Sequence, residues 1–100
     1  MNRRLTVLAV ADRDIEEAVA WYDEQRPRLG DTFLLDLGES LDQIRHHPEM
    51  YQRLVGNVRR AVLHGFPYSI LYRVLPDVIE VVGVLHSQVD PSRMDARSLT

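Results

Sequence analysis

Apolar positions recur at two different periods along this chain, and the change comes near its middle. In the first half, Ile15, Ala18, Val19 and Tyr22 follow the i, i+3, i+4, i+7 spacing of an amphipathic helix. Asp12 reads as its N-cap, with Glu16 and Glu17 in the first turns where the helix dipole favours negative charge. Pro27 and Gly30 end it. A second helix is predicted to start at Asp31 as its cap. Its stripe is Phe33, Leu34, Leu37, Leu41 and Ile44, with Asp36, Glu39 and Asp42 on the wet side and Pro48 as terminator. So short a connection makes the two helices antiparallel neighbours. Ahead of them, the aliphatic and β-branched run Leu5 to Val10 reads as a first strand.

The second half reads as strands. Residues 58–64, 68–75 and 78–86 are three runs separated by Gly65-Phe66-Pro67 and Pro76-Asp77, turn chemistry that predicts antiparallel hairpins. In the middle run Tyr68, Ile70, Tyr72 and Val74 share one face, and Ser69, Leu71, Arg73 and Leu75 the other. The last run is apolar at nearly every position, as expected of a strand in the middle of a sheet. The polar tail from Ser87 to Thr100 carries Pro91, and either a short terminal helix or disorder would fit it. The order βααβββ makes residues 1–100 a single α+β domain, a helix hairpin packed on an antiparallel sheet.

Composition agrees with one folded core. Apolar residues are 45% and charged residues 27%, far from a disordered chain, so no metal or disulfide is needed for folding. There is no cysteine, which excludes a disulfide framework and a thiolate zinc site and suits a reducing cytoplasm. The apolar run after Arg3 and Arg4 meets Asp12-Arg13-Asp14 too early for a signal peptide, and nothing later could span a bilayer. A cytoplasmic protein is the expectation. The net charge of −3 hides an asymmetry: residues 1–50 hold six arginines and eleven acids, residues 51–100 six arginines and four acids. All twelve basic residues are arginine. A GC-rich genome explains that; the sharper alternative is arginine's bidentate fork for carboxylate or phosphate. The bulk charge argues against a general nucleic-acid binder.

Several pieces, in order, resemble a known family. Ala18-Val19-Ala20-Trp21-Tyr22, then Leu29-Gly30-Asp31-Thr32-Phe33, then Ile44 with Pro48, look like the helix hairpin of ParE-type toxins of the ParE/RelE superfamily. Val58-Arg59-Arg60 and Phe66-Pro67-Tyr68-Ser69-Ile70-Leu71-Tyr72-Arg73-Val74 resemble their central hairpin. Val81-Val82-Gly83-Val84-Leu85-His86, with Asp90-Pro91 and Arg97, resembles their last strand and tail. The resemblance implies the βααβββ fold, a cognate antitoxin as partner, a role in plasmid stabilisation, no cofactor, and one of two targets. ParE-like members poison DNA gyrase through its A subunit; RelE-like members cut messenger RNA on the ribosome.

RNA cleavage next to a 2′-hydroxyl needs a base, donors for the developing phosphorane charge and an acid. The resemblance places two of the arginines used by RelE-like enzymes at Ser69 and Ser87, and no tyrosine or lysine follows Tyr72. Gyrase is therefore preferred to the ribonuclease reading, and an interaction protein to an enzyme. Val89, where an arginine commonly precedes Asp-Pro, and Met94, where an aromatic is common, depart from the ParE-like tail. They leave room for a weakened homologue that only binds its antitoxin.

The candidate partner-binding residues are Arg59, Arg60, Arg73, His86, Arg93, Arg97 and Trp21. Arg59 and Arg60 point to opposite faces, and the bland expectation is one solvated and one paired with a helix carboxylate. His86 and Arg73 are the candidates if there is catalysis, since an imidazole can move a proton near neutrality. The competing role for His86, satisfying a backbone group at the strand end, is preferred. No nucleophile elbow accompanies Ser69 or Ser87, so a hydrolase triad is rejected. His46 and His47 project about 100° apart on a helix, unlike the i, i+4 pair of zinc helices, so no metal is expected. Trp21 either packs under the hairpin loop, the preferred role, or forms an antitoxin or homodimer surface.

Overall fold

The computed structural model describes residues 3–89. Two helices cover one face of a five-stranded sheet. The elements are β1 (Arg4–Val7), α1 (Ala9–Gln25), α2 (Leu29–His46), β2 (Arg53–Val55), β3 (Val58–Val62), β4 (Tyr68–Val74) and β5 (Val78–His86). The sheet order is β1-β5-β4-β3-β2. Arg93, Arg97 and the rest of the tail beyond Val89 lie outside the described residues.

The sheet is mixed, not wholly antiparallel as the sequence suggested: β1 runs parallel to β5, and the other neighbours are antiparallel. The reason is one strand that the sequence reading lacks. Each short connection reverses the chain, so counting elements from β1 to β5 without β2 leaves them opposed. Adding β2 adds one reversal and turns them parallel. β2 is easily missed. It has three residues, sits at the sheet edge, and its register with β3 shifts between Arg53 and Val55.

Both helices start earlier than their acids suggest. α1 begins at Ala9 after an extended Leu8, with Asp12 inside the first turn instead of capping it, and this shortens β1 to Val7. α2 begins at Leu29 behind Arg28, which adopts the left-handed conformation at φ 68°. Gly30, expected to end the first helix, lies inside the second. A Cβ there would come within 2.7 Å of Asp23 Oδ1 and 2.9 Å of the Val19 carbonyl, so glycine lets the two helices touch. The Gly30 N–H donates to Asp23 at 2.8 Å.

The helical stripes face the sheet as expected, with corrections. Ala18, Tyr22, Phe33, Leu37 and Ile44 are buried, and Ile15, Val19 and Leu41 pack against them. Leu34 is not part of the stripe; it is exposed, like Leu35. Asp36 is not on the wet side. Its carboxylate accepts from the Gly65 N–H at 2.7 Å and the His64 N–H at 3.4 Å, fastening α2 to the β3–β4 turn. In β4, Ile70 and Tyr72 meet the helices, and Leu71 joins Val58 and Val82 in a second cluster on the other face. β5 lies between β1 and β4, buried on both faces as the sequence indicated. Its pairing shifts from Leu71↔Gly83 to Tyr72↔Val81, which makes Val82 the extra residue of a bulge.

Candidate functional site

Tyr68 and His86 stand opposite each other where β4 begins and β5 ends. Because residues directly opposite across a strand pair share a face, the imidazole and phenol meet edge to face, with ring centroids 5.2 Å apart. Tyr68 also packs against Phe33 and Tyr22, and Tyr22 stacks on Phe33 at 5.5 Å. This aromatic block fixes the end of the sheet. Trp21, one residue before Tyr22 on α1, cannot share its direction. It lies edge-on to the Tyr22 ring and is 53% exposed, so it does not pack beneath the hairpin loop as the sequence had favoured.

Trp21, Tyr22, Pro67, Tyr68 and His86 line a cleft of about 380 Å3. Its continuation along α1 is bordered by Asp14, Glu17 and Val89. The floor is apolar and the α1 rim acidic. Burial pushes the Tyr68 hydroxyl above its ordinary pKa, with Tyr22, Asp14 and Glu17 acting in the same direction. The Asp14 carboxylate accepts from the Val84 N–H at 3.0 Å and so ties α1 to β5. Sequence reasoning missed this residue, because an acid near a helix start looks like a dipole partner whatever else it does.

His86 also borders a second groove, of about 320 Å3, on the sheet face away from the helices. There Arg60, Ser69, Ser87, Val62 and Leu85 gather. Here the positions at which the family resemblance would put two arginines hold serines. Arg60 is the one guanidinium among the described residues lining this groove. The His86 Nδ1 accepts from the Gln88 N–H at 3.0 Å, the backbone role the sequence had favoured for it. With Nδ1 engaged in this local turn, only Nε2 is left for a partner.

The other candidates lie elsewhere. Arg73 does face away from the aromatic side, but it is held by Glu80 across the strand pair, Nε to Oε1 at 2.7 Å and Nη2 to Oε1 at 2.7 Å. A guanidinium so committed is poorly placed to stabilise a reacting phosphate. Arg59 lies at the far end of β3, where it donates to the carbonyls of Tyr51 at 2.6 Å and Glu49 at 3.3 Å instead of to a helix carboxylate. His46 and His47 close α2, their ring centroids 6.5 Å apart. Among the described residues no three His, Cys, Asp or Glu side chains gather as a metal site would require. Among the same residues no helix is long and apolar enough to cross a membrane.

Comparison with known proteins bears on this arrangement. A family model described as the ParE toxin of a type II toxin–antitoxin system, parDE, matches residues 5–91. The chain is 26% identical over 97 residues to Toxin ParE2 of Mycobacterium tuberculosis, in strains CDC 1551 / Oshkosh and ATCC 25618 / H37Rv, covering 96% of this chain and 92% of the relative. Among solved structures, a chain of the chromosomal ParDE toxin–antitoxin system from P. aeruginosa superposes with a TM-score of 0.76 at 19% identity, over 84% of this chain and 95% of that one. A mutant of the E. coli toxin RelE in the free state superposes at 0.63 with 16% identity, over 99% and 96%. At such identities the superpositions establish the shared fold.

Proposed function

From the premise that this chain belongs to the ParE toxin family of type II toxin–antitoxin systems, we propose that it poisons DNA gyrase by binding the A subunit and is neutralised by a cognate antitoxin. The observation that carries the choice of target is the groove beside His86. A messenger ribonuclease needs several charged donors around the scissile phosphate, each contributing orders of magnitude in rate. This groove presents serines at positions 69 and 87, one arginine at 60, and a histidine whose Nδ1 already accepts a backbone N–H. Such a surface suits gripping a macromolecule better than turning over RNA.

The antitoxin is assigned to the cleft of Trp21, Tyr68 and His86. A half-exposed indole over an apolar floor offers the kind of aromatic anchor that carries binding energy, and a disordered segment can cover it over a large area. The toxin would act in the cytoplasm, where both partners reside.

Supercoiling of relaxed plasmid by purified gyrase, with and without this protein, tests the target, alongside primer extension on translated messages. Inhibited supercoiling with intact messages is the expected result. Cut messages with unimpaired supercoiling would assign the protein to the ribonucleases instead. Normal growth after induction without antitoxin would make it a binder that has lost its toxicity.

A further inference from the structure

The end of the sheet away from Trp21 and His86 carries an arrangement that the proposed function leaves unused. Arg3, Arg53 and Arg59 line one cleft of about 240 Å3, with Asn57 of the β2–β3 turn and Pro76 of the β4–β5 turn. Two of these guanidiniums are positioned by main-chain carbonyls. Arg3 Nε donates to the Leu75 carbonyl at 2.9 Å, and Arg59 Nη1 to those of Tyr51 and Glu49. Carbonyls orient a guanidinium without cancelling its charge. They leave the two Nη groups of Arg3, and Nε and Nη2 of Arg59, with no partner among the described residues.

Elsewhere in the chain Arg28 pairs with Asp31, Arg45 with Asp42 and Arg73 with Glu80. Among the described residues, no carboxylate comes within ion-pair distance of Arg3, Arg53 or Arg59. The carboxylate lining the cleft, that of Glu49, is exposed and unpaired there. Three guanidiniums and a single carboxylate thus border one concavity, which is net positive in a chain whose net charge is −3.

We infer that this cleft binds a phosphate group. Guanidinium forks match the geometry of phosphate oxygens, and a phosphate offers converging arginines more acceptor oxygens than a carboxylate does. The acidic remainder of the molecule opposes a long duplex track, so the ligand is one phosphoryl group: free, at the end of a nucleotide, or a single position in a strand. The cleft is separate from the aromatic groove, and its test does not depend on toxicity.

The test is an NMR titration of the full chain, following the Gly56 and Asn57 amides as inorganic phosphate, thymidine 5′-monophosphate and unphosphorylated oligothymidylate are added. Saturable shifts at these amides with any of the three are expected, and the tightest probe identifies the source. Arg53→Gln, at an exposed position, should weaken binding by about tenfold, the loss expected for one charge-assisted contact. Arg3→Gln with Arg53→Gln should abolish it, and Glu49→Gln should tighten it by removing the opposing charge. Arg59 is left intact because its carbonyl bonds hold the loop. No saturable shift, or an affinity unchanged in the Arg53→Gln protein, overturns the assignment. So does hexaglutamate binding as tightly as phosphate, which would make the cleft a carboxylate site for a protein partner.

Discussion

Tyr72 is fully buried between the helices and the sheet, yet it carries a hydroxyl that must find an acceptor there. The hydroxyl donates to the Pro48 carbonyl at 2.6 Å and so holds the chain where it leaves α2 for β2. Burial pushes this group from its ordinary 10.0 up to about 12, with Arg59 pulling the other way and Tyr51 adding to the rise. The sign of the consequence is fixed by linkage. From about pH 10 to 12 the unfolded chain has released this proton while the folded chain keeps it, so stability falls as pH rises through that window and is fully present below it. Tyr72→Phe should lower stability by about 1 kcal/mol at neutral pH, by removing the hydrogen bond. It should also flatten the stability loss above about pH 10, as read by urea denaturation in neutral and alkaline buffer. An unchanged alkaline slope would mean that other tyrosines set it. Asp36 works at the same scale: Asp36→Ala removes the acceptor of two exposed turn N–H groups, which water can replace, and should cost about 1 kcal/mol. Hydrogen exchange should quicken at His64 and Gly65 while the far β2–β3 turn stays as it was.

Among elements, the contact of α1 with α2 rests on Gly30, and the substitution that tests it is small. In Gly30→Ala the new methyl meets the Val19 backbone, which cannot swing aside as a side chain can. Overpacking at such a crossing costs about 1–3 kcal/mol and outweighs alanine's better helix propensity. A lowered thermal midpoint is expected; a raised one would show that the helices separate freely. The same glycine explains what the sequence could and could not convey. A Gly three residues after a Pro has the look of a stop signal, because the spacing of α1 against α2 is a tertiary fact. Periodicity made the helical stripes and the two faces of β4 legible, since burial repeats with the geometry of each element. Leu34 and Leu35 were less so: a helix displaying three consecutive apolar residues buries only Phe33. β2 was illegible because a three-residue edge strand has no period to read, and the parallel pairing of β1 went with it. Of the candidate site, His86 and Trp21 were named from sequence; their junction through Tyr68 and the tie from Asp14 to β5 needed the register of β5 against β4.

For the whole molecule, charge distribution decides how the proposed antitoxin segment should approach. The eleven acids of the first half lie mostly on the helix hairpin, and Asp14 and Glu17 border the cleft in which Trp21 stands. A basic antitoxin segment would be drawn to that side by an attraction that added salt screens, whereas burial of the indole is indifferent to modest salt. The two contributions can therefore be separated. Affinity for the cognate antitoxin should fall by about tenfold between roughly 0.05 M and 0.5 M sodium chloride, chiefly through slower association. Trp21→Ala should instead weaken binding by about 2 kcal/mol or more, the scale of an interface hot spot, with the loss in the dissociation rate and the salt dependence preserved. Surface plasmon resonance across a salt series reads both. A salt-independent affinity removes the electrostatic half of this picture, and an unaltered dissociation rate in the Trp21 variant moves the antitoxin away from the aromatic cleft.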